Sequence, residues 1–304
     1  MNRLPITKTP KVYAGGAFIR SESGRTYPLK DAAGKFFANI PQCTRKDLRN
    51  AVEAAAKAGP AWAKRTPYNR GQILYRLGEM LEARAADMTD ALMVGAATSP
   101  APSSTRPGGR IPNSKAAARR EIAVSVDRLI YYAGWADKIE QVLGNVNPVA
   151  APYFNFTVTE PMGVVGVLAP EAPALLGLLS LVAPAIVSGN TVVALASTTQ
   201  PYPAIVLGEM LATSDLPGGV VNLLTGLRKE LVPTFATHAH LRALAAVADA
   251  EERKTLALGA VESVKRTRFW KAEEKTDWFA DQAQSLYAIR DFLEFKTTWH
   301  PIGA

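Results

Sequence analysis

Cysteine is almost missing from this sequence of 304 residues, in which Cys43 is the single example. One cysteine excludes an internal disulfide framework and any metal site built from several thiolates, and it fits a reducing compartment. Cys43 lies in a turn-like stretch between Pro41 and Lys46, with no histidine nearby in the sequence. This setting favours a structural thiol over a catalytic nucleophile.

An unbroken membrane span is also missing. The longest apolar stretch, residues 162–187, is interrupted by Pro170, Glu171, Pro173 and Pro184, so it predicts several short elements and no transmembrane helix. Residues 1–10 contain no apolar segment followed by small residues, so a secretory signal is not predicted. We expect a cytoplasmic protein with no membrane partner.

Histidines are few, and the positive charge is spread out. His238 and His240 stand near the end of a predicted helix without a third ligand, which favours an exposed helix end over a metal pair, and we predict no metal. Lys and Arg exceed Asp and Glu by 8, mostly in ones and twos. Residues 265–270 combine basic and aromatic side chains, so an RNA patch stays open as an alternative, but no RNA-binding module accompanies them and we predict no nucleic-acid partner.

The N-terminal third carries strand and helix signals. With 48% apolar residues and a mean hydropathy near zero, the chain is typical of a globular protein with a full core. Short strands are predicted at residues 12–18 and 36–40. Thr44 and Asp47 form a capping-box pattern that begins a helix ending near Gly59-Pro60. Further helices are predicted at residues 70–94 and 116–138. The Pro-, Ser- and Gly-rich residues 95–113 between them favour a surface insertion, with a lid or docking loop as the alternative.

From Gly163 the chain alternates buried strands and helices. Such alternation predicts a parallel sheet with helices on both faces. Strands are expected at residues 164–169, 191–196, 220–225 and 241–247, and helices at 175–188, 203–213 and 229–238. Residues 148–159, with alternating aromatic and β-branched residues, predict a half-exposed β-hairpin arm.

Several motifs in this region occur in a recognisable order. Pro161-Met162-Gly163 opens a run that ends at Ala169-Pro170, followed by Gly189-Asn190-Thr191 and by Gly219-Val220-Val221-Asn222. Their order and spacing resemble the aldehyde dehydrogenase superfamily, and the resemblance extends over most of residues 10–247. Residues 295–301 are similar to the C-terminal strand that completes the oligomerisation arm in that family.

The resemblance implies an α/β fold, namely a Rossmann-like aldehyde dehydrogenase coenzyme domain with a projecting β oligomerisation arm. The expected coenzyme-binding-like domain comprises residues 1–140 and 160–266, and the arm comprises residues 141–159 and 286–304. Residues 267–285 are expected to be a bridge that replaces the catalytic domain. With that domain the nucleophilic cysteine and its general base would be absent, so we predict no catalytic residues and a pseudoenzyme.

Three positions depart from the family's cofactor pattern. Glu171-Ala172-Pro173 stands where the family has Trp-Asn-Phe-Pro, whose Asn serves the oxyanion. Leu195 aligns with the family's ribose-binding Lys, and Thr198 aligns with its Glu. Residues 248–252 replace the Gly-Ser loop near the pyrophosphate, and their carboxylates are expected to repel phosphate. We therefore predict no cofactor, with weak NAD(P) binding as the alternative.

The combination of motifs is similar to the degenerate second domain of family-sixteen aldehyde dehydrogenases. It implies a structural or regulatory subunit that pairs its arm with a full-length catalytic aldehyde dehydrogenase, or with a second copy of itself. The alternatives are an NAD(P)-dependent aldehyde oxidoreductase component and a nucleotide-sensing module. Trp270, Trp278 and Trp299 either pack the bridge and arm or anchor an interface. The predicted oligomerisation residues are Tyr153, Phe154, Phe156, Val158, Lys296, Trp299 and Pro301.

Overall fold

The structure is a computed structural model that describes residues 8–31, 33–94, 114–274 and 276–303. The chain begins with two β-hairpins and three helices. These elements are β1 (Val12–Ala14), β2 (Ala17–Ile19), β3 (Thr26–Lys30), β4 (Phe36–Pro41), α1 (Arg45–Ala63), α2 (Pro67–Ala83) and α3 (Ala85–Met93). The predicted residues 95–113 loop lies outside the described residues.

The remaining elements contain the alternating part of the chain. They are α4 (Lys115–Trp135), α5 (Ile139–Leu143), β5 (Asn145–Asn147), β6 (Tyr153–Pro161), β7 (Val164–Leu168), α6 (Leu176–Val187), β8 (Thr191–Leu195), α7 (Tyr202–Leu211), β9 (Val221–Leu224), α8 (Arg228–Thr237), β10 (Leu241–Ala248), α9 (Ala250–Val261), β11 (Arg266–Lys271), α10 (Leu286–Arg290) and β12 (Leu293–Pro301). The predicted strand and helix alternation from Gly163 is confirmed.

A seven-stranded mixed sheet forms the centre of the molecule, in the order β11-β10-β7-β8-β9-β1-β2. The five strands from β11 to β9 are parallel, and β1 and β2 add an antiparallel hairpin at one end. Helices α2, α3, α4, α6 and α7 cover one face, and α1, α8 and α9 cover the other. Because both faces are covered, the central strands β7 to β10 are mostly apolar, as in other doubly wound sheets.

Two helix boundaries differ from the sequence prediction. Asp47 accepts a hydrogen bond from the Thr44 N–H at 2.7 Å, which confirms the capping-box start of α1. However, α1 continues through Pro60 to Ala63, because Trp62 is 1% exposed and its Nε1 donates to the Ile186 carbonyl at 2.9 Å. Residues 70–94, predicted as one helix, form α2 and α3 with a break at Arg84.

A separate three-stranded antiparallel sheet has the order β12-β6-β5. Nine residue pairs join β12 to β6, from Leu293 opposite Pro161 to Pro301 opposite Tyr153. The helices α5 and α10, which fall in the ranges assigned to the arm, precede its strands. Ile289 of α10 is fully buried in the main core, so α10 packs with the main domain and only β12, β6 and β5 form the separate sheet.

Residues 267–285, expected to be only a bridge, contribute a strand to the main sheet. Strand β11 pairs in parallel with β10, with Ala243 opposite Arg266 and Ala248 opposite Lys271. The sequence did not predict this strand, because Arg266, Arg268 and Lys271 interrupt its apolar residues, as charged residues often do in an edge strand. Among the described residues no helix has the length and apolar character needed to cross a membrane.

Candidate functional site

The order of strands in the main sheet defines a crevice. After β7 the chain adds β8 and β9 on one side, and it then crosses over to add β10 and β11 on the other side. In open doubly wound sheets, ligands bind at such a switch point, outside the carboxyl ends of the strands. The candidate site is therefore the crevice at the carboxyl ends of β7 and β10.

Arg228, the first residue of α8, spans this crevice. Its Nη1 donates to the Ala169 carbonyl, which follows β7, at 3.0 Å, and its Nη2 donates to the Val247 carbonyl of β10 at 2.7 Å. Nε and Nη2 also donate to the two carboxylate oxygens of Glu252, each at 2.8 Å. Burial acts to lower the pKa of Arg228, but the hydrogen bonds and charge of Glu252 outweigh it, so the pKa is raised.

The carboxylates of residues 248–252 have local partners. The Asp249 carboxylate caps α9 by accepting a hydrogen bond from the Glu252 N–H at 2.9 Å. The Glu252 carboxylate in turn accepts a hydrogen bond from the Asp249 N–H at 3.4 Å. The segment expected to form a loop is thus the first turn of a helix with a capping box. Because Glu252 also binds Arg228, the crevice contains an internal ion pair, and repulsion of phosphate by this segment stays a prediction.

Glu171 is bound by the turn that follows β8. Its Oε2 accepts from the Ser197 hydroxyl at 2.8 Å, the Thr199 N–H at 2.9 Å and the Thr199 hydroxyl at 2.8 Å. The Thr198 N–H donates to Oε1 at 3.3 Å. Two of the three predicted degenerate positions, Glu171 and Thr198, therefore meet in the structure.

Leu195, the third degenerate position, ends strand β8 and is fully buried in the apolar cluster shared with α1, α8 and α9. It stands opposite Leu168 and Leu224 in the parallel ladder. An apolar side chain in this position donates no hydrogen bond to a ligand. The structure thus separates Leu195 from the polar network formed by Glu171 and Thr198.

Cys43 is a buried thiol. Its side chain is 0% exposed, and burial, followed by the charge of Asp47, raises the pKa of Cys43 to about 12. A thiol with this pKa is protonated at neutral pH, whereas nucleophilic catalysis needs the thiolate. The geometry agrees with the structural interpretation of this residue.

The three-stranded sheet brings the predicted oligomerisation residues together. Tyr153 and Trp299 stack edge to face with ring centroids 5.8 Å apart, Phe154 and Phe156 lie 5.4 Å apart, and Lys296 pairs with Glu160. Trp299 is 58% exposed. Both outer strands, β12 and β5, have one edge that pairs with no other strand in the described part of the chain.

A cavity of about 430 Å³ lies apart from the crevice, between α6, β11 and the segment that leads to β12. Trp270 and Trp278 line it. Arg128 holds this segment by donating to the Trp278 carbonyl at 3.0 Å and the Ala283 carbonyl at 2.8 Å. Trp270 and Trp278 therefore pack internally, whereas Trp299 faces solvent.

Arg228, which spans the crevice, was not predicted from the sequence. The one signal was a long cation directly after Thr225-Gly226-Leu227, at the end of a predicted strand. His238 and His240, by contrast, have rings 5.9 Å apart at the end of α8, where burial and the charges of His240 and Lys265 lower the pKa of His238. In the part of the chain that is described, no group of three or more His, Cys, Asp or Glu is arranged to hold a metal ion.

A doubly wound sheet with a crevice at its switch point defines the class of Rossmann-like α/β domains. The aldehyde dehydrogenase family model matches residues 18–269, and the chain therefore belongs to the aldehyde dehydrogenase family. The resemblance inferred from the motifs after Pro161 is confirmed at the level of the family.

Individual relatives show how much of the family chain is matched. Retinal dehydrogenase 2 of Gallus gallus is 31% identical over 253 residues, which are 82% of this chain and 46% of the relative. An aldehyde dehydrogenase of Alternaria alternata is 30% identical over 233 residues, 75% of this chain and 43% of the relative. An NAD⁺ complex of aldehyde dehydrogenase from Bacillus cereus shares the fold, with a TM-score of 0.75, 22% identity and coverage of 86% of this chain and 50% of that chain. The chain thus spans about half the length of the relatives it matches.

Proposed function

We propose that this chain is a non-catalytic aldehyde dehydrogenase subunit that adds its three-stranded sheet to a full-length, cysteine-bearing aldehyde dehydrogenase. The observation that carries the proposal is strand β12, which has nine residues, an exposed Trp299 and an outer edge that pairs with no other strand among the described residues. A long unpaired edge next to exposed aromatic side chains is a template for strand addition, and it is an aggregation hazard if it stays uncovered.

The lack of catalysis is supported by the residues of the candidate site. The single cysteine is buried and protonated, and Arg228 with Glu252 fills the crevice in which a dinucleotide would lie. Between β11 and α10, the described residues form only a short 3-10 helix, Asp281–Ala283, where a catalytic domain would have to be inserted. Aldehyde oxidation needs a thiolate, a base and a bound nicotinamide, and these residues supply none of the three.

Association can be tested by truncating the arm. Deleting residues 294–304 removes β12 beyond its first residue, Leu293, and keeps Phe292 and Leu293, which are 2% and 1% exposed in the main core. We expect the truncated chain to lose binding to a co-expressed full-length aldehyde dehydrogenase in size-exclusion chromatography and to keep a cooperative thermal transition. Tyr68→Ala, which removes an exposed aromatic ring from α2, is the matched control and should leave binding unchanged.

Two results would contradict the proposal. One is a wild-type chain that forms a stable homo-oligomer with its arms paired to each other and binds no full-length aldehyde dehydrogenase. The other is aldehyde oxidation by the purified chain that disappears in Cys43→Ala. Co-purification of the untagged native complex would identify the partner directly.

A nucleotide-sensing module is the second candidate, favoured by the fold shared with an NAD⁺ complex of the Bacillus cereus enzyme. Isothermal titration with NAD and NADP separates it from the first. The partner-subunit proposal predicts no measurable heat with either nucleotide, because Arg228 and Glu252 occupy the crevice. Micromolar binding would favour the sensor.

A further inference from the structure

The cavity of about 430 Å³ between α6, β11 and the segment that leads to β12 lies mostly outside the part of the chain that matches the family. Most of its lining residues fall between Thr276 and Phe292, whereas the match to the family model ends at residue 269. Its volume is within the range of small-molecule pockets, about 300–1,000 Å³. We call it the bridge cavity, and it is separate from the crevice at the carboxyl ends of β7 and β10.

One wall of the bridge cavity is aromatic and apolar. The ring centroids of Trp270 and Trp278 lie 6.0 Å apart, and Leu181 and Phe292 line the cavity beside them. Indole and phenyl rings offer large apolar faces against which another flat ring packs in an offset or edge-to-face arrangement. This wall suits a ligand with an apolar body, and an aromatic body suits it best.

Two serine hydroxyls line the same cavity. Ser180 Oγ accepts a hydrogen bond from Arg128 Nη1 at 3.0 Å, and Ser285 Oγ accepts one from the Ala288 N–H at 3.3 Å. Neither hydroxyl donates a hydrogen bond to any residue that the structure describes. Ser180 is only 4% exposed, so its unused donor is shielded from bulk water. A buried donor without an acceptor is costly, and an oxygen atom of a ligand would satisfy it.

Arg128, which binds Ser180 from behind, is a buried cation without a counter-ion. It is 2% exposed, its hydrogen bonds go to Ser180 and to the carbonyls of Trp278 and Ala283, and it forms no ion pair within the described part of the chain. Its Nε has no hydrogen-bond partner there. A buried charge without a partner is costly, and donation by a guanidinium makes the Ser180 hydroxyl a stronger donor. A negative charge placed in the cavity beside Ser180 would therefore be stabilised.

Two carboxylates also line the cavity, and both have local partners. Asp291 pairs with Arg268 at 3.5 Å, and Asp277 Oδ1 accepts the Phe279 N–H at 3.0 Å. The side chains of Arg268 and Asp291 are 55% and 32% exposed, so this pair stands at the solvent side of the cavity. The buried side thus has a positive charge, and the solvent side has charges of both signs. This distribution favours a ligand whose acidic group points inward.

We propose that the bridge cavity is a binding site for a small carboxylate with an apolar, aromatic body. The carboxylate accepts hydrogen bonds from the hydroxyls of Ser180 and Ser285 and provides the negative charge that Arg128 lacks. The aromatic body packs against Trp270 and Trp278. The site does not depend on strand addition by β12.

The test uses the full chain with phenylacetate as the probe, and phenylacetamide and phenethylamine as its neutral and cationic counterparts. Binding is followed by tryptophan fluorescence, because two indoles line the cavity, and by isothermal titration. We expect phenylacetate to bind saturably with a Kd of about 1 mM or below. The amide and the amine should bind at least about tenfold more weakly, because neither provides a negative charge.

A pair of serine variants tests the position of the carboxylate. Ser180→Ala removes the shielded donor and should weaken phenylacetate binding by about tenfold, while the weak binding of the amine changes little. Ser188→Ala is the matched control, because Ser188 follows the same helix, is also 4% exposed and does not line the cavity. Its affinity for phenylacetate should stay within about twofold of the wild type.

The proposal is overturned if phenylacetate shows no saturable binding to the wild type at concentrations up to about 20 mM, which is well above the expected Kd. It is also overturned if the amide or the amine binds as tightly as phenylacetate, a comparison that needs no variant. Equal affinities of Ser180→Ala and Ser188→Ala for phenylacetate would overturn it as well. None of these results bears on association with a full-length aldehyde dehydrogenase, so a failure here leaves the proposed function standing.

Discussion

Replacing Arg228 with Ala removes the group that fills the crevice. The side chains of Arg228 and Glu252 are 14% and 20% exposed, and four hydrogen bonds are lost, two to Glu252 and two to the carbonyls of Ala169 and Val247. Removing one partner of a fully buried ion pair costs about 3–5 kcal/mol. Because this pair keeps some exposure and water can reach Glu252, we expect a loss of about 2–4 kcal/mol in the free energy of unfolding.

The magnitude can be measured by urea denaturation and by circular dichroism. A loss of about 3 kcal/mol corresponds to a fall in Tm of about 5 °C for a chain of 304 residues, whose entropy of unfolding is about 0.6 kcal/mol/K. The double-mutant cycle with Glu252→Ala should give a coupling free energy of about 1.5–3 kcal/mol, since the two side chains share two hydrogen bonds. Arg25, which makes a similar two-bond pair with Glu230 on the surface, is the matched control, and Arg25→Ala should change the Tm little.

A loss below about 0.5 kcal/mol for Arg228→Ala, with a coupling near zero, would refute the reasoning, because such values are typical of an exposed pair. The crevice would then be open to solvent and available to a nucleotide. Isothermal titration of Arg228→Ala with NAD gives the corresponding functional measurement. We expect no tight binding, because Leu195 and Glu171 remain unsuited to the cofactor.

Three further predictions concern the cofactor positions, the thiol and one close packing contact. The pair Leu195→Lys with Thr198→Glu should raise NAD affinity only slightly in isothermal titration, because Arg228 and Glu252 still fill the crevice, and tight binding would show that the crevice is otherwise intact. Burial raises the pKa of Cys43 from about 9 in the unfolded chain to about 12, so the protonated thiol stabilises the fold below pH 9 and this stabilisation is lost as the pH rises toward 12. Cys43→Ala should therefore lose less stability at alkaline pH than the wild type does. The native thiol should not react with iodoacetamide at pH 8. Gly177→Ala should destabilise the chain by about 2–4 kcal/mol in urea denaturation, because a Cβ there would lie 2.2 Å from Pro170 Cγ. The matched control is Gly134→Ala in α4, where a Cβ would have nothing within 4 Å, and it should stabilise the chain by up to about 1 kcal/mol. Equal effects of the two changes would contradict the packing argument.

Local sequence patterns predicted the start of α1 but not its end, and they did not predict the edge strand β11. The capping box of Thr44 and Asp47 was predicted because its partners are three residues apart, within reach of a local rule. The continuation of α1 past Pro60 depends on Trp62 and the Ile186 carbonyl, which are 124 positions apart. Strand β11 was missed because its pairing partner β10 supplies most of the evidence that residues 266–271 are a strand.

The sequence by itself determined the alternation of strands and helices after Gly163 and the membership of the aldehyde dehydrogenase family. Both follow from apolar runs, turn residues and motif spacing, which are local properties of the chain. It also predicted which positions depart from the family's cofactor pattern.

Only the tertiary structure decided what those positions do. The order of strands in the sheet brings Arg228 to Ala169, 59 positions away, and brings Glu171 to the turn of residues 197–199, 26 to 28 positions away. Hydrogen-bond partners at such separations depend on which strand lies beside which, and no local pattern encodes that order. For this reason the sequence predicted a degenerate crevice, whereas the folded chain shows a crevice occupied by its own side chains.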